Sequence, residues 1–335
     1  MEWFLPVVGS FVLSLLINGA IIRTARTRGW FIDSPLSGKP QRFHDTPTPR
    51  AGGIGILAGL LPLLFLSSAW KILLPALFAF LSGILEDFRQ ELSPRKRLLL
   101  QLIAATLFIA LTHTVVRYLG FGITLPWTVA SLFSIFAIVG AMNAINIIDG
   151  FNGLAGGIVA MILLSYARIA HTLDLERTEE SIAVILAALL GFLFHNFPKG
   201  RIFLGDGGAY LLGFLVAILG IHLVATQESV SPWYILAVLI YPVWEVLFSI
   251  IRKVSAGKSP LHPDGDHLHM IIYRTLAGKS NPRTSVIILT MVAPFILAAT
   301  LYPNNSLFNF FLTLFFVAAY LLLYQTLRRR EASKA

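Results

Sequence analysis

Eleven apolar runs of membrane length, with little polar sequence between them, restrict this chain to helices packed across a bilayer. They lie near residues 4–22, 51–68, 70–85, 98–116, 126–145, 153–172, 181–197, 207–226, 233–251, 285–302 and 307–327. A segment in hydrocarbon has no water to satisfy its backbone, so each run is expected to close its own hydrogen bonds as a helix. Hydrophobic residues make up 56% of the 335 positions and charged residues only 13%, with a mean hydropathy of +0.76. That balance excludes a soluble globule and leaves no room for a sizeable extramembrane domain. The expectation is therefore one all-α polytopic domain over residues 1–335, with about eleven transmembrane helices. Glu2 precedes the first run and the basic residues follow it, the reverse of a secretion signal, so the run should remain as a first span. The absence of cysteine removes disulfides and thiol chemistry.

An odd number of spans puts the termini on opposite sides, and the basic residues say which. Of the 26 Lys and Arg residues, 22 fall in the connections 23–50, 86–97, 146–152, 198–206, 252–284 and the tail from 328; the other four are Lys71, Arg117, Arg168 and Arg177. Positive residues stay inside, so the first set is expected in the cytoplasm and the N-terminus outside. The short turn at Ser67 to Lys71 is the weak point of this count. The cytoplasmic excess contacts anionic headgroups, which suffices for Arg328, Arg329 and Arg330. In the 23–50 and 252–284 loops it also suits a phosphorylated ligand. Nothing resembles an aromatic-interleaved basic groove, so nucleic acid is not an expected partner.

The acids are distributed unevenly. In Met142 to Gly157, Asn143, Asn146 and Asp149 recur every three residues, which places three polar groups on one slowly drifting helical face. Polar groups at the end of a membrane helix cost free energy and usually serve a site. Glu86 and Asp87 close the third run, Asp206 opens the eighth, and Asp264 and Asp266 lie in the last large loop, all on the expected cytoplasmic side.

Around Asp206, Gly205, Gly207 and Gly208 admit two readings. Asp206 is a helix cap, or it is a hard-metal ligand beside a phosphate met by freed backbone N–H groups. In His262-Pro-Asp-Gly-Asp-His-Leu-His269, neither a cysteine nor an HExxH helix accompanies the histidines, which argues against zinc. Histidines facing a phosphate would instead donate hydrogen bonds or charge. Lys39, Arg42, His44 and Arg50 lie in a first loop stiffened by four prolines. Glu245 stands two turns before Arg252, so the two are expected to pair on one helix face. Acids for a divalent cation, basic residues for a diphosphate and apolar helices for a lipid together fit phosphoryl transfer at the membrane surface.

These motifs resemble the polyprenyl-phosphate N-acetylhexosamine-1-phosphate transferase family. The resemblance runs in order through Asp33-Ser-Pro, His44, Pro49-Arg50-Ala-Gly-Gly53, Glu86-Asp87, Asn143-x-x-Asn146-x-x-Asp149-Gly150, Asn196, Ile202-Phe-Leu-Gly-Asp206, Pro242 with Glu245 and Arg252, and Asp264-x-x-His267-Leu-His269. It implies transfer of a sugar-1-phosphate from a UDP-sugar to an undecaprenyl-type lipid phosphate, with Mg2+ or Mn2+, at the cytoplasmic face of the inner membrane. On this resemblance Asp206 binds the metal, and Glu86, Asp87 and Asp149 are catalytic. His44, Arg50, Asn143, Asn146, Asn196, Asp264, His267 and His269 bind substrate. The expected partners are the lipid phosphate, the UDP-sugar and membrane lipids, with a homodimer allowed. Glu86, Gln41, Ala209 and Met270 depart from the family pattern, which favours enzymes that start O-antigen or other surface polysaccharides over phospho-N-acetylmuramoyl-pentapeptide transfer. An ion-coupled transporter is the rival of another class, but carriers hold their acids near the midplane of repeated halves. Here no repeat is apparent.

Overall fold

A computed structural model describes residues 3–28, 31–33, 47–65, 69–89, 93–259 and 265–333. Each apolar run contains a helix among the described residues, but the runs are not equal. Among the described residues, seven helices are long and apolar enough to cross a membrane: α1 (Phe4–Arg28), α5 (Trp127–Ile148), α6 (Leu154–Thr172), α7 (Glu176–Asn196), α8 (Gly205–Thr226), α12 (Asn281–Leu301) and α13 (Ser306–Ala332). At about 1.5 Å per residue, 22 residues reach roughly 33 Å, enough for the hydrocarbon layer.

The remaining four runs of the expected eleven take other forms. The run at 51–68 forms α2 (Gly52–Gly59), only eight residues long, followed by a 3-10 turn over Leu61–Phe65. Helices α3 (Trp70–Arg89) and α4 (Pro94–Thr112) have membrane length but carry charge at their ends: Lys71, Glu86 and Asp87 on one, Arg95, Lys96 and Arg97 on the other. The run at 233–251 is broken into α9 (Pro232–Val238) and α10 (Ile240–Ser255), bent by 76°. Pro242 supplies the cause: it has no N–H for the Val238 carbonyl, and its ring crowds that turn. Helix α11 (Leu268–Thr275) lies between α10 and α12.

Helix α8 is the axis of the bundle, with nearly all of its side chains buried, and it packs against α3, α5, α2 and α6. Close contact with α3 depends on Gly83, where a Cβ would lie 2.2 Å from the Asp206 backbone. Helix α1 lies on α7 and α2 through a buried polar stripe, Ser10, Ser14 and Asn18, in which the Ser10 hydroxyl reaches the Gly59 carbonyl at 2.6 Å. Small residues of this kind let membrane helices approach closely. The peripheral helices turn Leu and Phe outward, as Leu132 and Phe136 of α5 and Phe315 and Leu322 of α13 do. The two short strands β1 (Ile32–Asp33) and β2 (Thr48–Pro49) pair antiparallel and lead the chain to Arg50.

Candidate active site

The ends of α3, α4, α5 and α8 meet around Asp206. Its Oδ1 accepts from Arg50 Nη2 at 3.1 Å and Asn146 Nδ2 at 3.0 Å, and its Oδ2 accepts from Arg97 Nη1 at 3.3 Å. Arg50 is delivered by a backbone splice. Phe203 donates its N–H to the Pro49 carbonyl at 2.8 Å, and the Phe203 and Leu204 carbonyls accept from Gly52 and Gly53. Arg97 comes from the first turn of α4, started by Pro94. The sequence reading did not single it out; its spacing one turn from Gln101, which holds Asn143, was the available signal.

The question of whether Asp206 is a cap is answered by its neighbour. Asp87 Oδ1 accepts the backbone N–H of Asp206 at 3.1 Å and Oδ2 accepts that of Gly207 at 2.9 Å, so a carboxylate from α3 caps α8. Asp206 is therefore free to turn its own carboxylate towards the two arginines. The N–H groups of Asp206 and Gly207, expected to meet phosphate oxygens, are spent on Asp87. Gly205 supplies the geometry: its φ is +76°, and a Cβ there would stand 2.7 Å from Asp87 Oδ2. Asp87 is buried, with a side chain 1% exposed, whereas Glu86 is partly exposed.

The three-residue repeat on α5 drifts further than one face. Asn143 turns to α4 and donates to Gln101 Oε1 at 2.8 Å, while Asn146 reaches Asp206. Asp149 lies just beyond the helix, where loss of water pushes its carboxyl up to about 7. The Arg50 charge pulls it back, and Asp206 and Asp87 add to the rise. The turn after it is pinned from three sides. Asn152 takes the Asn281 side chain on its N–H at 2.7 Å and donates its amide to the Pro198 carbonyl at 3.1 Å. Gly153 donates its N–H to Asn196 Oδ1 at 2.6 Å. Asn196, expected to bind substrate, is buried, and its other end donates to the Ile202 carbonyl at 2.8 Å. It braces the walls of the site with both ends of its amide.

A second cluster abuts that turn. His267 and His269 stack with ring centroids 5.3 Å apart and planes 3° from parallel. Burial lowers the pKa of His269 to about 4, so the ring is neutral at physiological pH. A Cβ on Gly150 would lie 3.4 Å from its Nε2. Glu245 does not pair with Arg252, as its helical spacing suggested. The bend at Pro242 and the return of the chain bring His267 to Glu245 at 3.1 Å, while Arg252 Nη1 meets Asp266 at 3.4 Å. Arg328 belongs to the same network, 3.1 Å from Asp266, and is more than a membrane-surface charge. Met270 and Ala209 are buried. His44 and Asp264 lie outside the described residues.

Of the groups at this centre, the Asp206 carboxylate is the one whose chemistry suits a hard cation. Among the described residues no three His, Asp or Glu side chains close a protein-only cage. Magnesium does not ask for one, because it keeps water and substrate phosphate oxygens and needs only one or two carboxylates. Asp206 offers two oxygens, partly exposed, with the arginines beside them able to pass to phosphate.

Comparisons with known proteins give the family. Residues 69–224 match glycosyl transferase family 4. The chain is 30% identical over 308 residues to a probable undecaprenyl-phosphate N-acetylglucosaminyl 1-phosphate transferase of Bacillus subtilis, covering 87% of this chain and 83% of the relative. It is 31% identical over 310 residues to an undecaprenyl-phosphate alpha-N-acetylglucosaminyl 1-phosphate transferase of Haemophilus influenzae, covering 84% of each. A decaprenyl-phosphate N-acetylglucosaminephosphotransferase of Mycobacterium leprae is 29% identical over 307 residues, covering 78% of this chain and 76% of the relative.

Proposed function

The chain belongs to glycosyl transferase family 4, and from that premise we propose that it transfers a sugar-1-phosphate from a UDP-N-acetylhexosamine, or a related deoxy-amino sugar, to an undecaprenyl-type lipid phosphate, releasing UMP. The observation that carries this reading is Asp206 bracketed by Arg50, Arg97 and Asn146 at the ends of apolar helices. One acid and two guanidinium groups at the end of a lipid-facing bundle suit a diphosphate whose acceptor arrives from the membrane. The charge distribution favours the cytoplasmic side of the inner membrane, with the N-terminus outside. The product is read as the first lipid-linked sugar of O-antigen or another surface polysaccharide.

Asp206 would hold Mg2+ or Mn2+. When bound, the cation supplies charge that offsets what builds on the transferring phosphoryl group. Arg50 and Arg97 bind phosphate oxygens and fix their direction. Asn146 keeps the Asp206 carboxylate turned towards the ligand. Leu247, Ile250, Ile251 and Val254 are exposed on α10 and give the polyprenyl tail an apolar surface.

Direct attack by the lipid phosphate is favoured over a covalent phosphosugar on Asp87. Both Asp87 oxygens accept backbone N–H groups, and the side chain is nearly inaccessible. The lipid phosphate is already anionic at neutral pH.

The test is UMP release by purified protein given UDP-N-acetylglucosamine, Mg2+ and undecaprenyl phosphate, followed by a panel of other UDP-sugars. No UMP from any donor overturns the reading. For the route, enzyme, Mg2+, UDP-sugar and labelled UMP are incubated without lipid phosphate. Label entering the UDP-sugar pool at a rate near turnover, and lost in Asp87→Asn, would establish the covalent path.

A further inference from the structure

Helix α13 lies wholly outside the residues matched by the family pattern, and it holds Glu245 at one point and the histidine turn at two. Tyr320, Tyr324 and Arg328 stand four residues apart, so they share one face. The Tyr320 hydroxyl donates to Glu245 Oε2 at 3.0 Å, the Tyr324 hydroxyl donates to the Asp266 carbonyl at 3.1 Å, and Arg328 Nη1 lies 3.1 Å from Asp266 Oδ1. Glu245 is 1% exposed. Its Oε1 accepts from the Leu268 backbone at 2.9 Å and faces His267 Nδ1 at 3.1 Å. A carboxylate buried in this way is tolerated only when its oxygens are satisfied. With Glu245 ionised, the His267 contact requires a proton on Nδ1, which sets the tautomer and the plane of the ring. His269 inherits that plane by stacking, at the Asp149–Gly150 turn.

We propose that Glu245 and Tyr320 are positioning residues: they hold His267, and His269 through it, at the angle the donor substrate needs, which makes α13 part of the working site. The inference rests on the transfer reaction above and on the resemblance that assigns His267 and His269 to its substrate. Glu245 and Tyr320 touch no reacting atom and act through His267.

Tyr320→Phe removes one hydroxyl and keeps the volume. The expected result is a roughly three- to tenfold lower kcat/KM for the UDP-sugar. Glu245→Gln is expected to lose roughly ten- to a hundredfold, since a charge-assisted bond is lost. In a His267→Ala background, Tyr320→Phe should change kcat/KM by less than about twofold, because the residue it acts through is gone. Wild-type kcat/KM in folded Tyr320→Phe and Glu245→Gln, or a full Tyr320→Phe loss in the His267→Ala background, overturns the proposal. Imidazole 15N shifts of His267 give a readout independent of turnover: Nδ1–H in the wild type, and a changed tautomer population in Glu245→Gln. An unchanged population overturns the positioning role even if no UDP-sugar turns over. Absence of UMP release by the wild type overturns the transferase reading instead.

Discussion

Asp87 and Asp206 divide one helix end between them: Asp87 accepts the N–H of Asp206 at 3.1 Å, and Asp206 turns its own carboxylate away to Arg50 and Arg97. The cap and the arginine pairing are thus carried by different acids. A carboxylate at a helix N-terminus is favoured by the helix dipole, and filling that place with Asp87 leaves the Asp206 carboxylate to the arginines.

Asp206→Asn is expected to remove activity while leaving a folded protein, because the amide keeps the shape and loses the charge that a hard cation needs. Mg2+ should raise the melting temperature of the wild type and not of the variant, since binding only the native state stabilises it. Near-normal turnover, or an equal Mg2+ shift in both proteins, would count against Asp206 as the metal ligand.

Arg97→Ala should lower kcat/KM by roughly a hundredfold, in line with removal of one donor to developing charge. Arg97→Lys should recover part of it, as charge returns without the planar fork. An alanine variant within twofold of wild type would return Arg97 to a purely structural pairing.

Asp149 is expected to set the pH dependence. Its carboxyl is raised to about 7 by loss of water, so acidification through that region protonates a group that the resemblance implies is catalytic. Activity should therefore fall on the acid side near 7. More Mg2+ should move the limb to lower pH, because a nearby cation favours the carboxylate. A limb that ignores Mg2+, or persists in Asp149→Asn with residual activity, would assign it to another group.

Asn196→Ala should act on stability more than on substrate affinity. It strands the Gly153 N–H and the Ile202 carbonyl, each worth about 1–3 kcal/mol when buried and unsatisfied. The melting temperature should drop with KM nearly unchanged. A large rise in KM at unchanged stability would place the amide at the nucleotide instead.

The charge split predicts the topology. In a chain with no cysteine, Asp174→Cys should react with an impermeant thiol reagent added to intact cells, and Lys258→Cys only after lysis. The opposite pattern would invert the orientation.

Helices, their approximate ends and the crowding of acids at one end of the bundle were legible in the sequence, because they depend on local properties. An apolar run must satisfy its own backbone, and a proline or a charge ends it wherever it falls. Arg50, Asn146, Asp149 and Asp206 were named from such local patterns, and Arg50 and Asn146 prove to meet on Asp206. The partners of each acid were a different matter. Asp87 and Gly207 are joined across 120 positions because Gly83 lets α3 reach the α8 backbone, a distance that no periodicity encodes. The same holds for Glu245, whose spacing to Arg252 promised a pair that the Pro242 bend and the return of the chain to His267 replaced. Arg97, Tyr320 and Asn196 gained or changed their meaning only through contacts between helices. Hydrophobic pattern determines that a helix forms and which medium it faces; the angle and depth at which helices meet determine which polar atoms can reach each other, and only the tertiary structure decides that.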